Sequence, residues 1–190
     1  MSRPFLASAC MTLETSARLI EFLRSLRAVR EYTPEPVTDD ILQDIIEVGR
    51  WSGSASNNQW AELVIVTDPA IKQLITDGGV RAAAGSAVSL VIVTPGDAER
   101  HDLEVLDEGR LVERLLLAAS AHDLGANIGT LKGEGPATVK QALGIPEARR
   151  AWSVVTLGHT DQAAFAARTR NPRAGRKPAA DFAHWERYAS

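Results

Sequence analysis

The spacing of apolar residues along the chain predicts helices separated by short apolar strands. Apolar side chains recur at three- and four-residue intervals from Thr12 to about Arg24, from Thr38 to Gly49 and from Leu103 to about Leu124. This is the period of an amphipathic helix. The third of these helices is apolar over a broad arc, so we expect it to be mostly buried, at the centre of the fold or at an interface.

Three continuous apolar runs have the length and the β-branched content of strands buried on both faces: Leu63–Thr67, Ser89–Thr94 and Ser153–Leu157. Shorter helices are predicted from Asp68 to Leu74, from Pro136 to Leu143 and around Phe182 to Arg187. Gly144 is well placed to end the second of these. Strands separated by helices favour a mixed sheet with helices on its faces.

Composition narrows the class of protein. The 190 residues suffice for one domain, and we assign residues 1–11 to a flexible tail and 12–190 to a single domain. A net charge of -3 argues against general binding of nucleic acid, and no apolar run approaches the roughly 18 to 20 residues that cross a bilayer. Cys10 is the only cysteine, and the first eleven residues are too weak for a secretory signal. We therefore expect a cytoplasmic protein that binds neither nucleic acid nor membranes.

The usual catalytic and metal-binding patterns are missing from the sequence. The four histidines lie far apart, without cysteine or carboxylate at ligand spacing. Neither a phosphate-binding loop nor a dinucleotide fingerprint is present. Hence we predict no metal site and no catalytic acid or base. Trp51, Trp60 and His122 receive no role, because such side chains are more often structural.

Three polar segments remain as candidates for ligand binding. Arg27-Ala28-Val29-Arg30 would clamp a phosphate if locally helical, or it is a solvated basic helix end. The segment from Ser54 to Gln59 offers hydroxyl and amide groups that suit a heterocycle, or it is a surface loop. Thr130-Leu131-Lys132-Gly133 presents backbone N–H groups in a glycine-rich turn. Together they fit a ligand with a phosphate at one end and a polar ring system at the other, which is the shape of FMN.

The order of these segments resembles the FMN-dependent nitroreductase family. The stretch "LRAVREYTPEPVTDDILQDIIEVGRWSGSASNNQWAELVIVTDP" is similar to the family's opening pattern, in which an R-R-S-x-R segment precedes an amphipathic helix and a W-x-P-S-x-x-N-x-Q-P-W loop. The later "LLLAASAHDLGANIGTLKGEGPATVKQALGIP" and "VVTLGH" are similar to its second signature, and Arg176-Lys177-Pro178 matches a basic element near its end. The resemblance covers about Leu26 to Trp185.

The resemblance implies an α+β fold with a mixed, mainly antiparallel central sheet flanked by helices, in a homodimer with an extended helical interface. It implies an NAD(P)H-dependent flavin oxidoreductase that takes hydride from NADPH or NADH onto N5 of FMN and then passes electrons to a small flat acceptor, a nitroaromatic or a quinone, in a ping-pong cycle. The implied FMN-binding residues are Arg27, Ala28, Arg30, Ser54, Ala55, Ser56, Asn57, Gln59, Leu131, Lys132, Gly133, Arg173 and Arg176. Ser54 to Ser56 would come from the partner subunit, and the N–H groups of Lys132 and Gly133 would face N5 and O4 of the flavin.

The sequence also departs from the family pattern. Leu26 stands at the first arginine and Ala28 at the serine, while Arg24-Ser25-Leu26-Arg27 offers an alternative register. Gly53 replaces a proline, and the proline between Gln59 and Trp60 is missing. These departures favour, as one alternative, a flavin-binding or small-ligand module without turnover. A specialised relative that dehalogenates an aromatic compound or fragments its flavin is a second alternative.

Overall fold

Helices and strands alternate through the part of the chain that this computed structural model describes, residues 13–168 and 175–188. In chain order the elements are α1 (Leu13–Ser25), α2 (Asp39–Arg50), β1 (Glu62–Val66), α3 (Pro69–Asp77), β2 (Val88–Thr94), α4 (His101–Ala121), β3 (Leu124–Thr130), α5 (Gly135–Leu143), β4 (Arg150–His159), α6 (Gln162–Ala167) and α7 (Ala179–Phe182). The three long predicted helices are confirmed as α1, α2 and α4.

The described strands form one sheet in the order β1-β2-β4-β3, and every pairing in it is antiparallel. The buried strands predicted at Ser89–Thr94 and Ser153–Leu157 are the two central ones, β2 and β4. Apolar side chains alternate across the sheet, as the period of a strand requires. Leu90 and Ile92 pack with the helices α2 and α4 on one face, whereas Val91 joins Ile75 of α3 and Val139 of α5 on the other. The fold is thus α+β, with the sheet between two helical layers.

The prediction that Leu63–Thr67 is buried on both faces is wrong. This run is β1, which lies at the edge of the sheet and pairs only with β2. Ile65 is 44 % exposed, and only Val66 is buried. A continuous apolar run does not distinguish a central strand from an edge strand, because both positions accept β-branched side chains.

The strand β3 was missed by the pattern of apolar residues. Its sequence, LGANIGT, is poor in the β-branched and aromatic residues typical of strands, and the predicted helix before it ran on to Leu124. Close packing explains the glycines: a Cβ on Gly125 would lie 2.6 Å from Cγ1 of Val29, and a Cβ on Gly129 would lie 2.6 Å from Cγ1 of Val80. Tertiary contacts therefore override a weak local preference here.

The ends of the shorter helices follow the capping signals in part. The Asp68 side chain accepts the N–H of Ala70 at 2.7 Å, and Gly144 ends α5 with a φ of 67°. Thr38 precedes α2 in extended conformation without a side-chain cap. The last helix, predicted around Phe182 to Arg187, instead covers Ala179–Phe182. None of the helices that the structure describes has the length and apolarity that a membrane crossing demands.

Candidate functional site

The Arg27–Arg30 segment is not helical, so the predicted sharing of a helical face does not occur. Helix α1 ends at Ser25, and the residues that follow run alongside β3. The N–H of Val29 donates to the carbonyl oxygen of Ala126 at 2.9 Å, and Val29 is buried. Val29 thus ties the segment to β3 between the two arginines.

The side chain of Tyr32 fixes this segment to the sheet. Its hydroxyl group bonds to the carbonyl oxygen of Val29 at 2.7 Å, to Oγ1 of Thr156 at 2.8 Å and to the carbonyl oxygen of Thr156 at 3.1 Å. Burial raises the pKa of Tyr32 to about 12, although the hydrogen bond with Thr156 opposes the shift. The neutral phenol is therefore the form that suits this place.

The two guanidinium groups of the segment are exposed and carry no ion pair with another described residue. Arg27 donates to the carbonyl oxygens of Arg24 and Leu26, at 2.9 and 2.7 Å, and Arg30 makes no side-chain hydrogen bond within the part of the chain that the structure describes. Both guanidinium groups thus have N–H donors that can bind an anion.

A small cavity of about 120 Å³ opens beside this segment. Arg27 and Ala28 line it together with Asn127 of β3 and Leu116 and Ser120 of α4. Asn127 is only 4 % exposed, and its Oδ1 atom has no hydrogen-bond partner among the described residues. An unsatisfied buried polar atom costs about 1 to 3 kcal/mol, so its persistence beside a cavity points to a partner from outside the chain.

The loop from Trp51 to Trp60 is a strained structure held by specific hydrogen bonds. A short 3-10 turn covers Ala55–Asn57, and Ser56, Asn57 and Gln59 have φ values of 50°, 55° and 50°. Positive φ is uncommon for residues other than glycine, and the cost is lower for asparagine than for serine or glutamine. The Oγ atom of Ser54 accepts the N–H of Gln59 at 2.9 Å.

A second cavity, of about 240 Å³, lies under this loop and faces α2, β1 and α4. Its lining includes Ser52, Gln59 and Trp60 from the loop with Leu63 and Leu111 from the core. The Oγ atom of Ser52 and the Nε1 atom of Trp60 are buried and have no hydrogen-bond partner within the part of the chain that the structure describes. The loop is therefore arranged around a concave, mostly apolar space, as in binding sites for small molecules.

The third segment, Leu131–Gly133, is more constrained than predicted. The N–H of Leu131 donates to the carbonyl oxygen of Trp152 at 2.9 Å, and the N–H of Lys132 donates to that of Gly78 at 2.8 Å. The Lys132 amide is therefore already hydrogen-bonded within the chain, and its place at a ligand stays a prediction. Gly133 is exposed, with a φ of 54° and no hydrogen bond from its N–H among the described residues.

The structure brings the first and third segments to the same strand but keeps the loop apart from them. Helix α4 separates the two cavities: Asp107 and Leu111 line the one under the loop, whereas Glu113, Leu116 and Ser120 line the other. At 3.6 residues per turn these two groups are about 170° apart around the helix and their centres about 11 Å apart along it. One protomer therefore does not unite the three segments in one site.

Only one of the two basic candidates near the end of the chain lies in the part that the structure describes. Arg173 lies outside the described residues. Arg176 is exposed, and its side chain donates to the neighbouring carbonyl of Gly175. Its role in binding phosphate stays a prediction.

Sequence reasoning missed Asn127 and Asp107. Asp107 lies on the buried side of α4, four residues before Leu111, and is only 4 % exposed. A carboxylate at an apolar position of an amphipathic helix was the available signal. For Asn127 the signal was weaker, because its strand had not been recognised.

Solved structures identify the class of fold. The NADPH:FMN oxidoreductase from Vibrio harveyi complexed with NAD+ superposes with a TM-score of 0.72 at 27 % identity, over 90 % of this chain and 78 % of that one. A candidate nitroreductase from Desulfovibrio desulfuricans in complex with FMN gives 0.72 at 25 % identity, over 90 % and 98 % of the two chains. The α+β fold of this chain is thus shared with two FMN-linked proteins.

The chain belongs to the nitroreductase family. The model of that family matches residues 23–77, which include the Arg27–Arg30 segment and the whole Trp51–Trp60 loop. The NADPH-flavin oxidoreductase of Vibrio harveyi is 31 % identical over 160 residues, which cover 75 % of this chain and 66 % of that protein. This chain therefore spans about two thirds of the length of that relative.

Proposed function

We propose that this protein is an FMN-dependent oxidoreductase that takes electrons from NADPH or NADH and passes them to a small flat acceptor. The observation that carries the proposal is the buried, unpartnered Oδ1 atom of Asn127 beside the exposed Arg27–Arg30 segment. A ligand with an anionic end and a polar ring would supply the missing partners at both places.

The hydrogen-bond donors of these segments fit FMN. Arg27 and Arg30 offer guanidinium groups for the phosphate, and the backbone at Ala28 lies in the cavity with Asn127. The backbone N–H of Gly133, three residues after the end of β3, would donate a hydrogen bond to the polar edge of the flavin ring. Leu131 and Lys132 contribute by holding that turn in place through their own backbone hydrogen bonds.

When bound, FMN supplies the redox chemistry, accepting hydride from NADPH or NADH and delivering electrons to the acceptor. The chain's own residues then have to bind, orient and shield. Near the Arg27–Arg30 segment, burial raises the pKa of Tyr32, so its phenol stays neutral. A fixed backbone donor such as the Gly133 amide would favour negative charge on the ring without moving a proton.

A homodimer would complete the site, because the polar loop of one protomer lies across α4 from the Arg27–Arg30 segment. Helix α1 supports this proposal: it has no buried residue, and Leu19, Ile20 and Leu23 are 44 %, 48 % and 41 % exposed. An isolated helix of 13 residues is marginal in water, so packing against a second copy would stabilise it. Ser54, Ser56 and Asn57 would then reach the flavin of the partner.

We propose a ping-pong cycle, in which the electron donor and the acceptor occupy the same place on the flavin in turn. The acceptors we propose are nitroaromatics and quinones. The test is to purify the protein, titrate it with FMN, and add NADPH or NADH without oxygen. We expect a yellow complex that bleaches with either donor and regains its colour on addition of a quinone. Failure to bind FMN would refute the proposal, and binding without bleaching would support a module without turnover.

A further inference from the structure

Two charged side chains of α4, Asp107 and Arg110, contact the loop from Trp51 to Trp60. The carboxylate of Asp107 accepts the N–H of Ala55 at 2.8 Å through Oδ2, and its Oδ1 atom lies 3.4 Å from Nη1 of Arg110. Asp107 is 4 % exposed, whereas half of the Arg110 side chain is exposed. The buried carboxylate thus uses one oxygen for a loop amide and the other for a guanidinium, so it joins the loop to α4.

The guanidinium of Arg110 also covers Gly53. A Cβ built on Gly53 would lie 2.2 Å from Nη2 and 3.1 Å from Cζ of Arg110, so a side chain at this position would force the guanidinium to move. Gly53 stands where the nitroreductase pattern has a proline, and in this chain the space beside it is filled by an arginine 57 positions later.

The loop needs such a support. Ser56 and Gln59 hold positive φ angles that are unfavourable for residues with a side chain, and such angles persist only when the surroundings impose them. The other hydrogen bonds of the turn, such as that from Asn57 N–H to the carbonyl of Ser54, lie within the loop itself. The Asp107 carboxylate ties the 3-10 turn to the core of the protein.

We infer that Asp107, Arg110 and Gly53 form a latch that fixes the loop in the conformation that presents Ser54, Asn57 and Gln59 to the ligand. Asp107 and Arg110 are positioning residues, since they act through the loop. The inference rests on the proposed function for its ligand, FMN, but the latch itself is a property of the free protein and is testable without any ligand.

The first test is hydrogen exchange of the free protein. Asp107→Ala removes the acceptor of the Ala55 amide, and a charge-assisted hydrogen bond corresponds to roughly a 10- to 100-fold change in an equilibrium. We expect the Ala55 amide to exchange faster by that factor, with the Val91 amide of β2 as the internal reference. Asp107→Asn should restore most of the protection, because its amide oxygen still accepts. Asp102→Ala, in the exposed first turn of the same helix, is the matched control.

The second test uses the match between Gly53 and Arg110. Gly53→Ala should displace the guanidinium and accelerate exchange in the loop about threefold to tenfold, as Arg110→Ala should on its own. In the Arg110→Ala background the same Gly53→Ala change should have no further effect, because the clash is gone. Additive effects would show that the two residues act independently and would overturn the latch. Arg114→Ala, exposed on α4, controls for the loss of a positive charge.

The third test links the latch to the ligand. We expect Asp107→Ala to raise the Kd for FMN about tenfold and Asp107→Asn to raise it less. Equal acceleration of exchange at Ala55 and Val91 would mean simple destabilisation and would overturn the inference, as would faster loop exchange with an unchanged Kd. If the wild-type protein binds no FMN, the proposed function fails, whereas the exchange experiments still decide whether the latch exists.

Discussion

Replacing Tyr32 by phenylalanine should destabilise the protein by about 2 kcal/mol. The change deletes a hydroxyl group that has three polar neighbours, at 2.7, 2.8 and 3.1 Å. Removing one partner of a buried hydrogen bond costs about 1 to 3 kcal/mol. Thr156, which is fully buried, would keep only a long contact of 3.4 Å between its Oγ1 atom and the carbonyl oxygen of Asn127.

Urea unfolding followed by circular dichroism measures this loss directly. For a protein of this size 2 kcal/mol corresponds to a fall in Tm of about 4 to 8 °C. Tyr188→Phe makes the same chemical change at a ring that is 85 % exposed and should leave the midpoint unaltered. If Tyr32→Phe unfolded at the wild-type urea concentration, the phenol would contribute no net free energy, and our account of how the Arg27–Arg30 segment is fixed would be wrong.

The raised pKa of Tyr32 gives the same prediction a pH dependence. The folded protein holds the phenolic proton up to about pH 12, whereas an unfolded chain releases it near pH 10. Between these values the unfolded state binds fewer protons, so the stability due to this group is fully present below pH 10 and is lost as the pH rises to 12. The advantage of the wild type over Tyr32→Phe should therefore shrink across this window. A constant difference would contradict the assignment.

Three further experiments test other parts of the structure. Arg27→Ala with Arg30→Ala should weaken FMN binding by several kcal/mol through lost charge-assisted contacts, measured by fluorescence titration; an unchanged Kd would place the phosphate elsewhere. Gly129→Ala should destabilise the fold by about 1 to 3 kcal/mol in urea, because the new methyl group meets Val80 at 2.6 Å; wild-type stability would mean that β3 shifts freely. Asp68→Ala should cost about 1 kcal/mol through loss of the cap of α3, and Asp68→Asn, which keeps an acceptor, should restore most of it.

The sequence predicted those parts of the fold in which local preference and tertiary packing agree. Helices α2 and α4 have a clear apolar period, and the central strands β2 and β4 are continuous β-branched runs. The strand β3 was not predictable in this way, because Gly125 and Gly129 are explained by close packing against Val29 and Val80, which are distant in the chain. Whether an apolar run becomes a central strand or an edge strand, as for β1, depends on the order of strands, which periodicity does not contain.

The candidate site was predictable as a set of segments and less so as a geometry. Arg27, Arg30 and the polar loop were found because their residue types indicate binding. The arrangement was not, since it depends on where α4 passes between the cavities and on which amides the fold already uses, such as that of Lys132. Asp107 escaped notice because its role comes from a contact across 52 residues of chain.

At Ser56 and Gln59, which have positive φ angles, a substitution that raises thermal stability is expected to lower activity. Glycine at either position would relax the backbone, so a screen of random variants for survival on heating should recover it there. The same exchange removes a side chain that we propose reaches the ligand. We therefore expect variants selected at high temperature for both stability and activity to stabilise this loop through its contact with α4. Glycine at these two positions should be rare among them.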